Sequence, residues 1–254
     1  MQDFRARCLA GDALIGTFLS TPHPVAVEVV AATPIDFVCI DGEHAQIGRE
    51  RIEEMIRAAD VHRKPVIVRV PGHAPESIAS ALDAGATGIL VPRVSTAAQA
   101  RAAVDASRYP PVGSRGVGPG RAQGYGYRIF DYLKQANEKV VVALQIETAE
   151  GLANIEEIAA VDGVDVLFVG PGDLSVSLGA LGPEHVERLN AAILDIVKAG
   201  RARSRALGIY RPSAADVGKW REAGVSFFIV ASDAMLLGET VSAMVADAKA
   251  AAAG

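Results

Sequence analysis

The sequence predicts an α/β protein folded as one (β/α)8 barrel (TIM barrel) over residues 1–254. Short apolar runs alternate with longer helix-period segments from one end of the chain to the other. The alternation repeats eight times, and 254 residues is the usual length of such a barrel. The apolar runs are also nearly continuous, as in parallel strands covered on both faces. A doubly wound open sheet is the alternative, because the pattern alone does not show closure.

The elements follow in order. Residues 14–19 form the first strand and 24–32 the helix after it. The next pairs are 37–40 with 49–61, 65–70 with 75–83, and 88–91 with 96–107. A glycine-rich segment, 113–127, then interrupts, and a helix over 129–137 leads into the fifth strand, 140–146. Helix 150–160 precedes strand 166–169, and helix 184–205 precedes strand 207–210. Helix 213–223 and strand 227–230 complete the set, and a last helix spans 233–252. Its alanine-rich end, 243–253, is suited to docking on a neighbouring subunit. No linker, charge block or longer repeat divides the chain.

Composition narrows the function. Half of the residues are hydrophobic and 22% are charged, enough for a sizeable core. The net charge of -5, with no basic stripe, argues against nucleic acid as a partner. No apolar run approaches the roughly 18–20 residues that span a bilayer. Residues 1–12 are polar and mixed in charge, so they do not read as a signal peptide. Two cysteines, Cys8 and Cys39, have no metal-ligand spacing. They exclude a disulfide framework and fit a reducing, cytoplasmic setting. Cys39 lies mid-strand and reads as a core residue.

Chemistry concentrates where strands end. In Val38-Cys39-Ile40-Asp41-Gly42-Glu43-His44, a buried strand stops in two acids and a base. Arg69 ends the third apolar run, Gln145 and Glu147 bracket the end of the fifth, and Asp173 follows the sixth. In a barrel these groups converge on the C-terminal rim, where active sites form. Glu147 and Asp173 are candidate ligands of a divalent cation such as Mg²⁺ or Mn²⁺. Alternatively, each is a first-turn helix acid favoured by the helix dipole. His44 titrates near neutrality and is the candidate general base, or else a loop histidine without a role. Asp83 ends the third helix; it orients His44 if the loops meet, or is an ordinary helix-end acid. Arg69 fits an internal salt bridge to Asp41 or Glu43, a cation aimed at an oxyanion, or both. Asp41 is expected to position His44 or Arg69, and Glu43 to arrange a metal's water shell.

Two further readings concern loops and lysines. Segment 113–121 lacks the Gly-Lys-Ser/Thr ending of a phosphate loop. It reads instead as a loop over the barrel mouth carrying two arginines, or as a solvated surface loop. None of the six lysines lies at a strand's C-terminal end, which argues against imine catalysis.

These segments resemble the HpcH/HpaI family of class II pyruvate aldolases. The resemblance rests on Ile40-Asp41-Gly42-Glu43-His44-Ala45, Val68-Arg69, Leu90-Val91-Pro92, Arg108-Tyr109-Pro110-Pro111, Gln145-Ile146-Glu147-Thr148 and Gly170-Pro171-Gly172-Asp173-Leu174-Ser175. It covers essentially the whole chain. It implies a barrel that forms a homo-hexamer by exchanging its last helix. It also implies a divalent metal (Mg²⁺, Mn²⁺ or Co²⁺) on Glu147 and Asp173, chelated by the carboxylate and keto oxygen of pyruvate or another 2-oxoacid. Arg69 would steady the enolate oxygen, and His44, paired with Asp83, would move the proton. Gln145 would line the site, and the Gly172 and Asp173 backbone would hold the substrate carboxylate. The implied reaction is reversible aldol cleavage of a 4-hydroxy-2-oxoacid through a metal-stabilised enolate. An acyl-CoA ester lyase of the same superfamily is one alternative, and a non-catalytic carboxylate-binding barrel is another. The stretch after Val117 and the pair Tyr210-Arg211 depart from the family pattern.

Overall fold

The computed structural model describes residues 3–253. Eight parallel strands close into a barrel in chain order. They are β1 (Leu14–Leu19), β2 (Phe37–Asp41), β3 (Val66–Arg69), β4 (Gly88–Val91), β5 (Val141–Ile146), β6 (Val166–Val169), β7 (Ala206–Arg211) and β8 (Phe227–Ser232). Strand β8 pairs back onto β1, with Leu14 opposite Phe227 and Ile15 opposite Phe228. This closure removes the open-sheet alternative.

The period of two along each strand sorts the side chains into two layers. Phe37, Ile67, Leu90, Phe168 and Phe227 form one apolar cluster inside the barrel. Val38, Val68, Ile89, Leu167 and Phe228, each one residue out of phase, join the larger cluster between strands and helices. The interior is filled by aromatic rings, with Phe37 and Phe227 4.3 Å apart and Phe168 and Phe227 6.2 Å apart. Gly16 makes room for them, because a Cβ there would lie 2.5 Å from the Phe37 ring. Carried to the C-terminal rim, the inward phase falls on Ser20, Asp41, Arg69, Gln145, Glu147 and Tyr210.

The floor of the barrel is closed by a helix that the sequence reading omits. Helix α1 (Phe4–Ala10) is capped by Asp3 and ended by Gly11 in the left-handed conformation. Its Phe4 ring lies 5.6 Å from Phe37 and 6.4 Å from Phe227. Beside it, buried Asp165 takes ion pairs from Arg5 at 2.7 Å and Arg108 at 3.2 Å.

Three further differences concern helices. The segment expected as one helix over 150–160 breaks at Asn154 into α7 (Ala149–Ala153) and α8 (Ile155–Ala159). Asn154 Nδ2 donates to the Ser95 carbonyl at 2.9 Å, which draws the chain out of one continuous helix. A short helix, α9 (Pro171–Ser177), follows β6 directly, with Pro171 in its first turn. A 3₁₀ turn at Pro183–His185 delays the next helix, α10, to Val186–Ala202. The last helix, α12 (Asp233–Ala253), has no buried residue and exposes Leu237, Val241 and Met244. Among the described residues, no helix is long and apolar enough to cross a membrane.

Candidate active site

A cavity of about 350 Å³ opens at the C-terminal rim, lined by Phe18, Asp41, His44, Arg69, Gln145, Gly172, Asp173 and Tyr210 among others. The β2 end organises one wall. Asp41 Oδ1 accepts from Arg69 Nε at 2.9 Å and from the backbone N–H groups of Glu43 and His44, each at 3.1 Å. Its Oδ2 accepts from Arg69 Nη2 at 2.7 Å. One carboxylate therefore fixes both the guanidinium and the turn that carries His44, so the two roles expected of Asp41 coexist.

Arg69 is held in a fork. Besides Asp41, it places Nη1 3.3 Å from Glu43 Oε2, and its guanidinium lies 4.3 Å from the Phe18 ring centroid. Burial disfavours the Arg69 charge, but the bonds and field of Asp41 outweigh that and raise its pKa. Burial likewise pushes the Asp41 carboxyl up, and Arg69 reverses this and holds it below the usual range. The Glu43 carboxyl stays raised by burial despite Arg69 and His44.

The opposite wall is acidic. Glu147, just past β5, is 2% exposed. Its Oε1 accepts from the Arg93 N–H at 2.8 Å, and its Oε2 accepts from Gln145 Nε2. Arg93 reaches this geometry with a left-handed φ of 53°. Gly170 lets the carboxylate in, because a Cβ there would lie 2.5 Å from Glu147 Oε2. Burial pushes the Glu147 carboxyl up to about 7; the Gln145 and Arg93 bonds oppose the shift, and the charges of Glu43 and Asp173 add to it. Asp173 stands in the first turn of α9, where the N–H groups of Gly172 and Asp173 have no intrahelical partner.

These residues fit a divalent cation. Three carboxylates influence one another around the cavity, and their mutual repulsion is what a cation relieves. Glu43 Oε2 and Gln145 Oε1 are buried without a hydrogen-bond donor, as are polar atoms that await a cation's water shell. Among the described residues, no group of three His, Cys, Asp or Glu side chains closes a metal site by itself. Two protein carboxylates with open positions remain, the arrangement of a site that shares its ion with substrate and water.

The acid cluster gives metal-free protein a definite pH response. Glu147 binds its proton more tightly when folded, near 7, than at its ordinary value of 4.5. Its contribution is therefore fully present below about 4.5 and is lost as pH rises through about 7. The expected loss is ~3 kcal/mol. Urea unfolding of EDTA-treated protein at pH 4.5 and 7.5 checks it against Glu147→Gln, in which this component should vanish.

Two sequence expectations are corrected. Asp83 does not meet His44 within one chain. Helix α4 (Pro75–Asp83) runs back against the strands, so its last residue lies at the N-terminal rim, across the barrel from His44. There Asp83 accepts from Arg115 Nη2 at 2.7 Å and from Gln123 Nε2 at 3.0 Å. The His44 side chain is 62% exposed, with Glu43 Oε2 3.8 Å from Nε2. The glycine-rich segment does not cover the mouth either. It follows α5 (Ala97–Ser107), which also ends at the N-terminal rim. Its arginines are spent there: Arg115 is buried against Asp83, and Arg121 donates to Asp60 and to the Ala84 carbonyl.

Side chains that the sequence reading missed are Phe18, Ser20 and Ser232. Phe18 and Ser20 carried a usable signal, the inward phase of β1. Ser232 carried none, for a reason given below.

The sequence profile of the HpcH/HpaI aldolase/citrate lyase family matches residues 14–239. A 4-hydroxy-2-oxo-heptane-1,7-dioate aldolase of Salmonella paratyphi B is 38% identical over 245 residues, which is 96% of this chain and 93% of that one. A hydroxypyruvate/pyruvate aldolase of Roseovarius nubinhibens is 35% identical, covering 93% of each chain. The crystal structure of a family protein from Burkholderia cenocepacia J2315 superposes with a TM-score of 0.93 at 35% identity, covering 98% of this chain and all of that one. With the barrel closed and the profile running from the first strand into the last helix, the chain belongs to the HpcH/HpaI aldolase/citrate lyase family.

Proposed function

We propose that this protein, a carbon–carbon lyase of the aldolase type, reversibly cleaves 4-hydroxy-2-oxoacids to pyruvate, or a related 2-oxoacid, and an aldehyde. The carrying observation is the acid cluster of Glu43, Glu147 and Asp173 facing Arg69 across one cavity. Glu147 and Asp173 would hold a divalent cation, with Mg²⁺, Mn²⁺ and Co²⁺ as candidates. Such an ion supplies Lewis acidity to a 2-oxo group and eases loss of a proton from the adjacent carbon.

The chain's own groups do the rest. Asp41 presents Arg69 to the mouth, where its charge steadies an enolate oxygen. His44, on the turn fixed by Asp41, exchanges the proton at the reacting carbon or at the new hydroxyl. Gln145 holds Glu147 in place, and the free N–H groups of Gly172 and Asp173 orient the substrate carboxylate. A role for Asp83 in this reading requires a second copy, because its own chain keeps it at the far rim. The exposed apolar side chains of α12 support such assembly, as a cytoplasmic homo-hexamer in which the last helix packs on a neighbour.

Pyruvate in D₂O tests the reading. EDTA-stripped protein should leave the methyl protons untouched, and Mg²⁺, Mn²⁺ or Co²⁺ should start their exchange. Exchange that persists without metal sinks the mechanism. Borohydride with pyruvate should trap no adduct, in keeping with the lysine placement.

A further inference from the structure

We infer that the aldehyde partner is short, uncharged and hydroxylated beside its carbonyl, and does not end in a carboxylate. The inference deepens the aldolase reading and rests on it. Its evidence lies on the wall away from Glu147 and Asp173, built from Phe18, Ser20, Tyr210 and Ser232.

Ser232 reaches that wall only through a break in phase. Along β8, Phe227 and Ile229 point into the barrel and Phe228 points out to the helix layer. Uninterrupted alternation would send residue 231 inward and residue 232 outward. The β1–β8 register shifts between Gly16 and Phe18, so that Phe18 pairs with Ser232. Ala231 takes up the shift with a φ of 56°, the left-handed region that costs an L-residue roughly 1 kcal/mol or more. The strain turns a hydroxyl towards the mouth, where regular geometry would have placed a methyl.

The hydroxyls of this wall have capacity to spare. Ser20 Oγ donates to Asp233 Oδ1 at 2.8 Å and keeps its lone pairs. Ser232 Oγ accepts from the Met235 N–H at 3.3 Å, which leaves its own proton free. The Tyr210 hydroxyl meets only the Met235 sulfur, at 3.4 Å, a weak acceptor. A donor and acceptors side by side match an alcohol, which is both. The Phe18 and Tyr210 rings, 5.7 Å apart, limit the reach of this pocket.

The charges exclude a second carboxylate. Among the described residues, Arg69 is the only guanidinium or ammonium lining the cavity, and Asp41 and Glu43 occupy it. Arg211, next to Tyr210, donates to Asp216 at 2.8 Å. His44 is the proton carrier. A carboxylate at the far end of the aldehyde would lose water without gaining a free cation, which costs several kcal/mol.

In the synthetic direction, the bond forms between the enolate carbon of pyruvate and the aldehyde carbon. The aldehyde oxygen takes one proton to become the 4-hydroxyl, and nothing is oxidised or reduced. The test offers the enzyme, with Mg²⁺ and pyruvate, three probes: glycolaldehyde, propanal and 4-oxobutanoate. We expect kcat/KM for glycolaldehyde to exceed that for 4-oxobutanoate by at least about 10-fold, and that for propanal by several-fold. Ser20→Ala and Ser232→Ala should each shrink the glycolaldehyde-to-propanal ratio by about 3- to 10-fold. The inference is overturned if 4-oxobutanoate reacts as well as glycolaldehyde, or if neither serine variant moves the ratio. Deuterium exchange into pyruvate, read in the same samples, separates the failures. Exchange without turnover of glycolaldehyde overturns the aldehyde assignment alone, and no exchange overturns the enolate reading and this inference together.

Discussion

Replacing Arg69 with alanine is expected to cost about 3–5 kcal/mol of folding stability and to abolish pyruvate enolisation. The stability loss follows from what remains. Asp41 would keep two buried oxygens deprived of their fork, and Glu43 would lose the cation 3.3 Å away. An abandoned buried carboxylate is far more costly than a missing attraction. Arg69→Lys should fold better than the alanine variant yet exchange slowly, because an ammonium cannot reproduce the fork. The pair Arg69→Met with Asp41→Leu should recover much of the stability and none of the exchange. Urea unfolding and deuterium exchange, measured on all three proteins, separate the two roles. An alanine variant as stable as the parent would remove the ion-pair account.

Glu147→Gln is expected to act with the opposite sign on stability. Metal-free protein at pH 7.5 should gain on the order of 1–3 kcal/mol, because the change removes a buried charge from the field of Glu43 and Asp173. Exchange should fall by at least about 100-fold, and Mg²⁺ should no longer raise the melting temperature. A more stable and inactive protein is the signature of an acid kept for function against its stability cost. A variant that is less stable and still stabilised by Mg²⁺ would move the ion elsewhere.

Much of this was legible in the sequence because strands and helices impose simple periods. Apolar runs placed each strand, and the polar residue that ended a run marked the rim. Asp41, Arg69, Gln145 and Asp173 line the cavity for that reason. Errors arose where only spacing was available. Asp83 and the 113–127 loop both follow helices, and in a β/α repeat everything that follows a helix lies at the N-terminal rim. That rule was in the sequence and would have separated Asp83 from His44. Other features were out of reach. The Arg93 N–H reaches Glu147 through a backbone twist that no side chain announces. Helix α1 is short and polar in composition, and only the Phe4 ring against Phe37 explains its order.

The left-handed turn at Ala231 has a consequence for how this family can diversify. In a regular strand, the identity of a wall residue changes by substitution. Where a strand carries an extra residue, the wall can also change by moving the irregularity one position along the chain. Such a move would exchange Ser232 for a neighbour without altering a codon at the wall. Residue-by-residue transfer of aldehyde-side positions between relatives therefore fails across β8 unless the bulge is counted. The metal side, set on strands that keep their phase, can be transferred by position alone.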